Sequence, residues 1–374
     1  MELARGPRYP AARIAAQRVH PHFARVQESG RSALPDVQAI EDLIDAAFWT
    51  SLRREEGYSP KISLAFLPPE YAGAALTFEW PLGLTPEALG RLAPAAERPG
   101  VHLGVWREDD SLRVWGTTRS IPPFCFVLEV LAPGLLVLKY RRSEESAKFV
   151  NVAVLEGDQV KVLDAEAPNL PGCPSLVSSL LGFDGPGPED PVNVLVELAV
   201  SMRAHGRGGA LLVVPADSDA WRESIRQPIH YSVAPKFARI RELMEEEPAA
   251  REQQRWRDAF HRTIEAIAGL TAVDGATVMS ERYEVLAFGA KIRRREDCAS
   301  VEHVILTEPI EGAAPQTVPS LQTGGTRHLS AAQFAHDQRD AMALVASQDG
   351  RFTAFAWSEC DGMVRAHRVE TLLL

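Results

Sequence analysis

Apolar positions recur along this chain in two rhythms, and the rhythm changes near residue 190. Before that point, Ile40, Leu43, Ile44, Ala47 and Phe48 fall at helical spacing behind Asp36, which predicts a capped helix. Residues 61–67 and 75–80 predict strands. Thr85 opens a short helix with Leu89, Leu92 and Ala95 as its stripe. Three pairs of apolar runs flank turn residues: 101–106 and 111–115 around Asp109-Asp110, 126–131 and 135–140 around Ala132-Pro133-Gly134, and 150–155 and 159–163 around Glu156-Gly157-Asp158. Residues 36–165 are therefore expected to form a mainly antiparallel sheet with one or two helices. Trp80, Trp106 and Trp115 are expected to pack its core. No catalytic cluster stands out there, so a regulatory or partner-binding domain is expected. Residues 1–35 carry Arg5, Arg8, Arg13, Arg18, Arg25 and Arg31 together with Pro7, Pro10 and Pro21, and are read as a basic extended arm.

Residues 166–190 hold Pro168, Pro171, Pro174, Pro186 and Pro188 with several glycines, the composition of a linker. From 191 to 374 helical and strand patterns interleave. Helices are expected over 192–203, 235–245, 258–270 (with Gly269 as its stop) and 330–338. Strands are expected over 210–214, 277–280, 285–289, 342–346 and 352–357. The wholly apolar run 210–214 suits a central strand covered on both faces. The expected fold class is α/β (α+β), with a C-terminal mixed sheet flanked by helices.

The length of 374 residues fits two domains at roughly 100–200 residues each. A net charge of −10 gives no general affinity for nucleic acid or for an anionic membrane, so any anion must be held locally. There is no apolar run long enough to span a bilayer and no leader-like apolar segment, so a cytoplasmic protein is expected. Cys125, Cys173, Cys298 and Cys360 are far apart and form no C-x-x-C pair, so they are expected to be reduced and mostly buried.

Candidate chemistry sits in three places. Asp274-Gly275-Ala276 lies between a helix and a strand, where a carboxylate can bind a metal or accept a proton from a sugar hydroxyl. Asp-Gly is also an ordinary turn. Gly324-Gly325-Thr326-Arg327-His328 opens a helix, and free backbone N–H groups with the helix dipole favour phosphate there. Arg327 adds a bidentate donor and His328 a donor or metal ligand. Ser347, Gln348 and Asp349 would cluster at one end of the sheet. His205, Arg207, His230, Tyr231 and Arg293-Arg294-Arg295 are secondary candidates, with surface placement favoured.

Taken in order, these features resemble the diadenylate cyclase domain from about Pro191 to Trp357, starting at Met202-Arg203 and Gly208-Gly209-Ala210-Leu211-Leu212-Val213-Val214 and ending at Ser347. The resemblance implies an adenine-nucleotide site. Asp274 would act on the attacking ribose hydroxyl, Gly275, Ala276, Gly325, Thr326, Arg327, His328 and Ser347 would hold the nucleotide, and Asp274, His328 and Asp349 would bind Mg²⁺ or Mn²⁺. Two positions depart from the family pattern: Leu329 stands where a second arginine is expected, and Gln348 where a metal-binding glutamate is expected. Losing one charge of each sign weakens catalysis more than binding. The expectation is a degenerate sensor-type member that binds ATP, cyclic di-AMP or a related nucleotide and signals to a protein partner through its N-terminal domain. The alternative is an active diadenylate cyclase working on the ribose 3′-hydroxyl between two face-to-face copies, hence a homo-oligomer.

Overall fold

The computed structural model describes residues 8–27, 34–54, 57–141, 149–163, 192–251 and 253–374. The expected linker 166–190 lies outside the described residues, as does Cys173. The chain divides into two compact units, Met1–Asp164 and Ala165–Leu374.

The first unit opens with helix α1 (Pro10–Gln27), where an extended arm was expected. Its buried stripe is Ala12, Ala15, Ala16, Val19 and Phe23. These positions follow a helical period with mostly small side chains, which lets the backbone press close to its neighbours. Arg13 and Arg18 alternate with the stripe, so composition masked the period. The Tyr9 ring stacks on Phe48 at 3.7 Å, and its backbone N–H donates to Asp45 at 2.6 Å. Helix α2 (Val37–Ser51) starts where expected, with the Asp36 carboxylate accepting from the Ala39 N–H at 2.8 Å. Such a cap contributes roughly 1 kcal/mol. Helix α3 (Pro86–Ala96) is capped by Thr85.

The strands of this unit are β1 (Ile62–Phe66), β2 (Leu76–Gly83), β3 (His102–Glu108), β4 (Ser111–Thr118), β5 (Phe126–Ala132), β6 (Leu135–Arg141), β7 (Phe149–Glu156) and β8 (Gln159–Val162). They form one sheet in the order β2-β4-β3-β1-β5-β6-β7-β8. All three expected hairpins are present. β1 runs parallel to β3, so the sheet is mixed. Trp115 is buried and Trp106 packs against the core, but Trp80 is 76% exposed on the edge strand β2, a correction to its expected core role.

The second unit contains α4 (Val194–Ala204), β9 (Gly209–Val214), β10 (Tyr231–Phe237), α5 (Arg239–Met244), α6 (Pro248–Arg251), α7 (Gln254–Thr271), β11 (Ala276–Ser280) and β12 (Val285–Ala290). Then come β13 (His303–Thr307), β14 (Gln316–Pro319), α8 (Thr326–Asp337), β15 (Met342–Ala346), β16 (Phe352–Ser358) and β17 (Met363–Arg368). The sheet order is β10-β12-β11-β9-β15-β16-β17-β13-β14. β9 occupies the middle, as its unbroken apolar run requires. Leu211 and Val213 face α4, α5 and α7, while Ala210, Leu212 and Val214 face α8. The expected helix over 235–245 begins later, because Pro235 sits in β10, an edge strand that tolerates a missing N–H. α7 runs past Gly269 to Thr271, so that glycine does not end it.

Both units are mixed α+β. Of the described cysteines, Cys125 is buried, Cys298 half-buried and Cys360 exposed, so they are not mostly buried. Burial pushes the Cys125 thiol up to about 12.

Candidate functional site

Sheet register gathers the sequence candidates at one edge of the C-terminal sheet. β9 and β11 are parallel and begin at Gly209 and Ala276. β15 runs against β9 and ends with Ala346 opposite Gly209. β12 runs against β11 and ends with Ala290 opposite Ala276. Gly208, Asp274, Lys291 and Ser347 each lie one or two residues beyond these strand ends, so all four stand on the same rim.

Asp274 projects from the rim with its side chain 92% exposed, 2.5 Å from Lys291 Nζ. The Lys291 hydrogen bond, then its charge, hold the Asp274 carboxyl below the usual carboxylate range, and the Arg327 guanidinium adds to this. Arg327 belongs to the exposed first turn of α8 and reaches over Gly208. A side chain at 208 would stand 3.2 Å from Arg327 Nη1 and 3.4 Å from Gln348 Cγ. The carboxylate of Asp274 and the guanidinium of Arg327 therefore act in one electrostatic field.

α8 starts after Gly325, and no side chain caps it, so the N–H groups of Thr326 and Arg327 lack intrahelical acceptors, while the His328 N–H donates to the Gly325 carbonyl at 2.9 Å. Thr326 and Arg327 are exposed beside them. His328 is placed differently. It is 4% exposed, its ring meets Phe355 edge-on at 6.0 Å, and its Nε2 has no partner. Burial pushes its pKa down, opposed by Asp349. Gly324 adopts φ +154°, and a Cβ there would fall 2.5 Å from His328 Nδ1, so glycine is what lets the imidazole lie under the helix start.

Gly275 and Ala276 have packing roles where ligand contacts were expected. At Gly275, φ is +125° and a Cβ would lie 2.5 Å from the Gly289 carbonyl carbon. The close approach there is by strand β12. Ala276 is 1% exposed and its methyl group packs in the core.

An aromatic surface adjoins the carboxylate. Tyr231, half exposed, stacks on Phe288 with centroids 4.8 Å apart and planes 2° from parallel. A Cβ at Gly289 would meet the Tyr231 ring at 2.8 Å, so the ring, Gly289 and the Asp274–Gly275 turn are contiguous.

The expected metal ligands do not converge. Asp274 is engaged by Lys291. Asp349 accepts from the Ser347 hydroxyl and pairs with Arg351. His328 is buried under Gly324. Among the described residues, a group of three metal-ligating side chains within reach of one ion occurs instead at Cys298, His336 and Asp337. Among the described residues the rim therefore offers no set of three protein ligands for Mg²⁺ or Mn²⁺, and an ion there would take most of its ligands from phosphate and water.

Of the secondary candidates, His205 is half-buried with its pKa lowered by burial, and the Arg207 carbonyl accepts from Gln348 Nε2 at 3.4 Å. Arg293 and Arg294 line a separate concavity of about 470 Å³ with Leu329, Ser330 and Gln333. Lys291 and Phe288 were missed from sequence. The signal available was the β11–β12 hairpin itself, whose two outer ends must meet.

The family model described as "Probable sensor domain DACNV" matches residues 29–119, the segment that holds α2, α3 and β1 to β4. A concavity of about 420 Å³ within it is lined by Leu76, Pro94, Ala95, Arg98, Val101 and Arg119, among others. No curated protein matches the chain. No helix among the described residues is long and apolar enough to cross a membrane. The match corrects the resemblance drawn from sequence: it falls in the N-terminal unit, and it is to a probable sensor domain and not to the diadenylate cyclase domain.

Proposed function

We propose that the protein is a sensor whose C-terminal unit binds an adenine nucleotide along the rim between Tyr231 and Arg327. The carrying observation is the juxtaposition of an exposed aromatic face with two cations. The base stacks on Tyr231, which Phe288 holds flat from behind. The phosphates meet Lys291, Arg327 and the uncapped N–H groups of α8. Asp274 accepts from ribose hydroxyls. Thr326 borders the phosphate end as a hydroxyl donor, and Ser347 stands beside it with its hydroxyl donated to Asp349.

The reading is of binding without turnover. Phosphoryl transfer rests on metal ions bridging the phosphates, and the rim's carboxylates are each engaged in their own ion pair. The sensor assignment is supported by the match over residues 29–119. A protein partner for the N-terminal unit is part of the same proposal. Its support is the exposed Tyr71, Leu76, Trp80 and Leu82 along and beside the edge strand β2.

Titration calorimetry with ATP in EDTA tests this. One ATP should bind per chain, weakened about 10- to 100-fold by Arg327→Ala, the worth of a lost charge-assisted hydrogen bond. The same probe run with cyclic di-AMP ranks the nucleotides. Binding unchanged in both Arg327→Ala and Tyr231→Ala would overturn the proposed location. Absence of binding to either nucleotide would overturn the ligand class.

A further inference from the structure

We propose that Cys298, His336 and Asp337 form a site for a thiophilic divalent cation of the zinc class. One ligand atom from each lies within 4.8 Å of the others. Two come from the C-terminal end of α8 and one from the loop after β12, so the fold brings together groups 38 residues apart in sequence. Thiolate, imidazole and carboxylate are the donors of zinc sites, with bonds of about 2.0–2.3 Å, so a small closure of the loop seats the ion. Sulfur and nitrogen ligands disfavour Mg²⁺ and Ca²⁺.

The carboxylate is already set in place. Asp337 is fully buried, and its Oδ2 accepts from the Arg295 backbone N–H at 2.9 Å. Its Oδ1 accepts from Gln333 Nε2 at 2.8 Å. Such outer contacts orient a ligand before the metal arrives. The charge around the cluster is mixed: the Arg295 guanidinium pairs with Asp297 at 2.8 Å and donates to the Asp337 carbonyl at 3.3 Å. Among the described residues, the ion-pair partner of the buried Asp337 is His336, at 2.9 Å, and that imidazole compensates the carboxylate only when protonated. Asp297 lies beside the thiol, and the Cys298 Sγ–H points to its Oδ1 at 3.8 Å. Metal binding exchanges the thiol proton for the ion, releasing that proton to solvent, and replaces the imidazole–carboxylate hydrogen bond with two metal bonds. Cys298 is half-buried and His336 retains 22% side-chain exposure, so an ion has a way in and water completes a fourth position.

The test is cobalt titration of the full-length protein under reducing conditions, followed by absorption. One equivalent should produce tetrahedral Co²⁺ bands and a thiolate-to-cobalt charge-transfer band, both displaced by Zn²⁺. Cys298→Ser should abolish the charge-transfer band, Cys360→Ser should leave it intact, and His336→Asn should weaken binding at least 10-fold. Zn²⁺ should also raise the melting temperature of the wild-type protein and not of Cys298→Ser. No charge-transfer band in the wild type, or a band that survives Cys298→Ser, would overturn the proposal.

Discussion

The ammonium of Lys291 stands 2.5 Å from the carboxylate of Asp274, and this pairing limits what Asp274 can do. A carboxylate whose pKa is held down is a weaker general base. The hydrogen bond to Lys291 is the first cause of its lowered pKa. Lys291→Met should therefore raise the Asp274 pKa towards 3.8, with Arg327 still holding it slightly below. Carbon-detected NMR titration of the side-chain carboxyl reads this directly. An unchanged Asp274 pKa in Lys291→Met would show that the pair does not persist in solution.

The same pair predicts an asymmetry in ligand binding. Asp274→Asn frees Lys291 for phosphate while forfeiting the ribose contact, so ATP affinity should change by no more than a few-fold. Arg327→Ala has no such compensation and should lose 10- to 100-fold. Calorimetry on the two variants side by side checks this ordering. Equal losses would mean that Asp274 carries more of the ligand than this account allows.

Two buried histidines make stability fall in acid. His102 shares a hydrogen bond with Ser63 at 2.7 Å, and His367 with Thr307 at 2.7 Å. Burial first, aided by Lys139 and Arg141 for His102 and by Arg365 for His367, lowers each pKa from 6.5 to about 4. Each native imidazole is neutral where the unfolded one takes up a proton. The stabilisation is therefore complete above pH 6.5 and is lost as the pH falls from 6.5 to 4. Each histidine accounts for about 3 kcal/mol over that window. Denaturant unfolding at pH 7 and pH 4.5 measures the loss, and His367→Gln should remove its share of the pH dependence from the C-terminal unit.

Helix α1 is a core element, not an appendage. Phe23 is 2% exposed and packs against Phe126 at 4.9 Å. Phe23→Ala should destabilise the N-terminal unit by about 3–5 kcal/mol. Chemical denaturation monitored through Trp115 would report it. A change under 1 kcal/mol would return this segment to the status of a loosely held arm.

Much of the architecture was legible where local rules and tertiary packing agree. Asp36 and Thr85 cap their helices, Asp109, Gly134 and Gly157 turn their hairpins with positive φ, and the apolar run over β9 is central. Legibility failed where one signal hid another. Arginines between Ala12, Ala16 and Val19 concealed the stripe of α1. Strands β13, β14 and β17 lack clean alternation, and they are held by pairing with one another and with β16. At the rim, Asp274 and Arg327 were readable as charged residues beside glycines. Their roles were not, because Lys291, which pairs with Asp274, and Phe288, which supports Tyr231, arrive through the register of β11 with β12. Gly275 and Ala276 looked like ligand contacts for the same reason: a close-approach glycine in sequence does not say what approaches it.

The most direct test of the proposed nucleotide-binding rim is photolabelling with 8-azido-ATP followed by peptide mapping. Label is expected on the peptides containing Tyr231 or Phe288, suppressed by unlabelled ATP and lost in Arg327→Ala. Label that ATP suppresses but that maps only to residues 29–119, or no suppressible label at all, would contradict it.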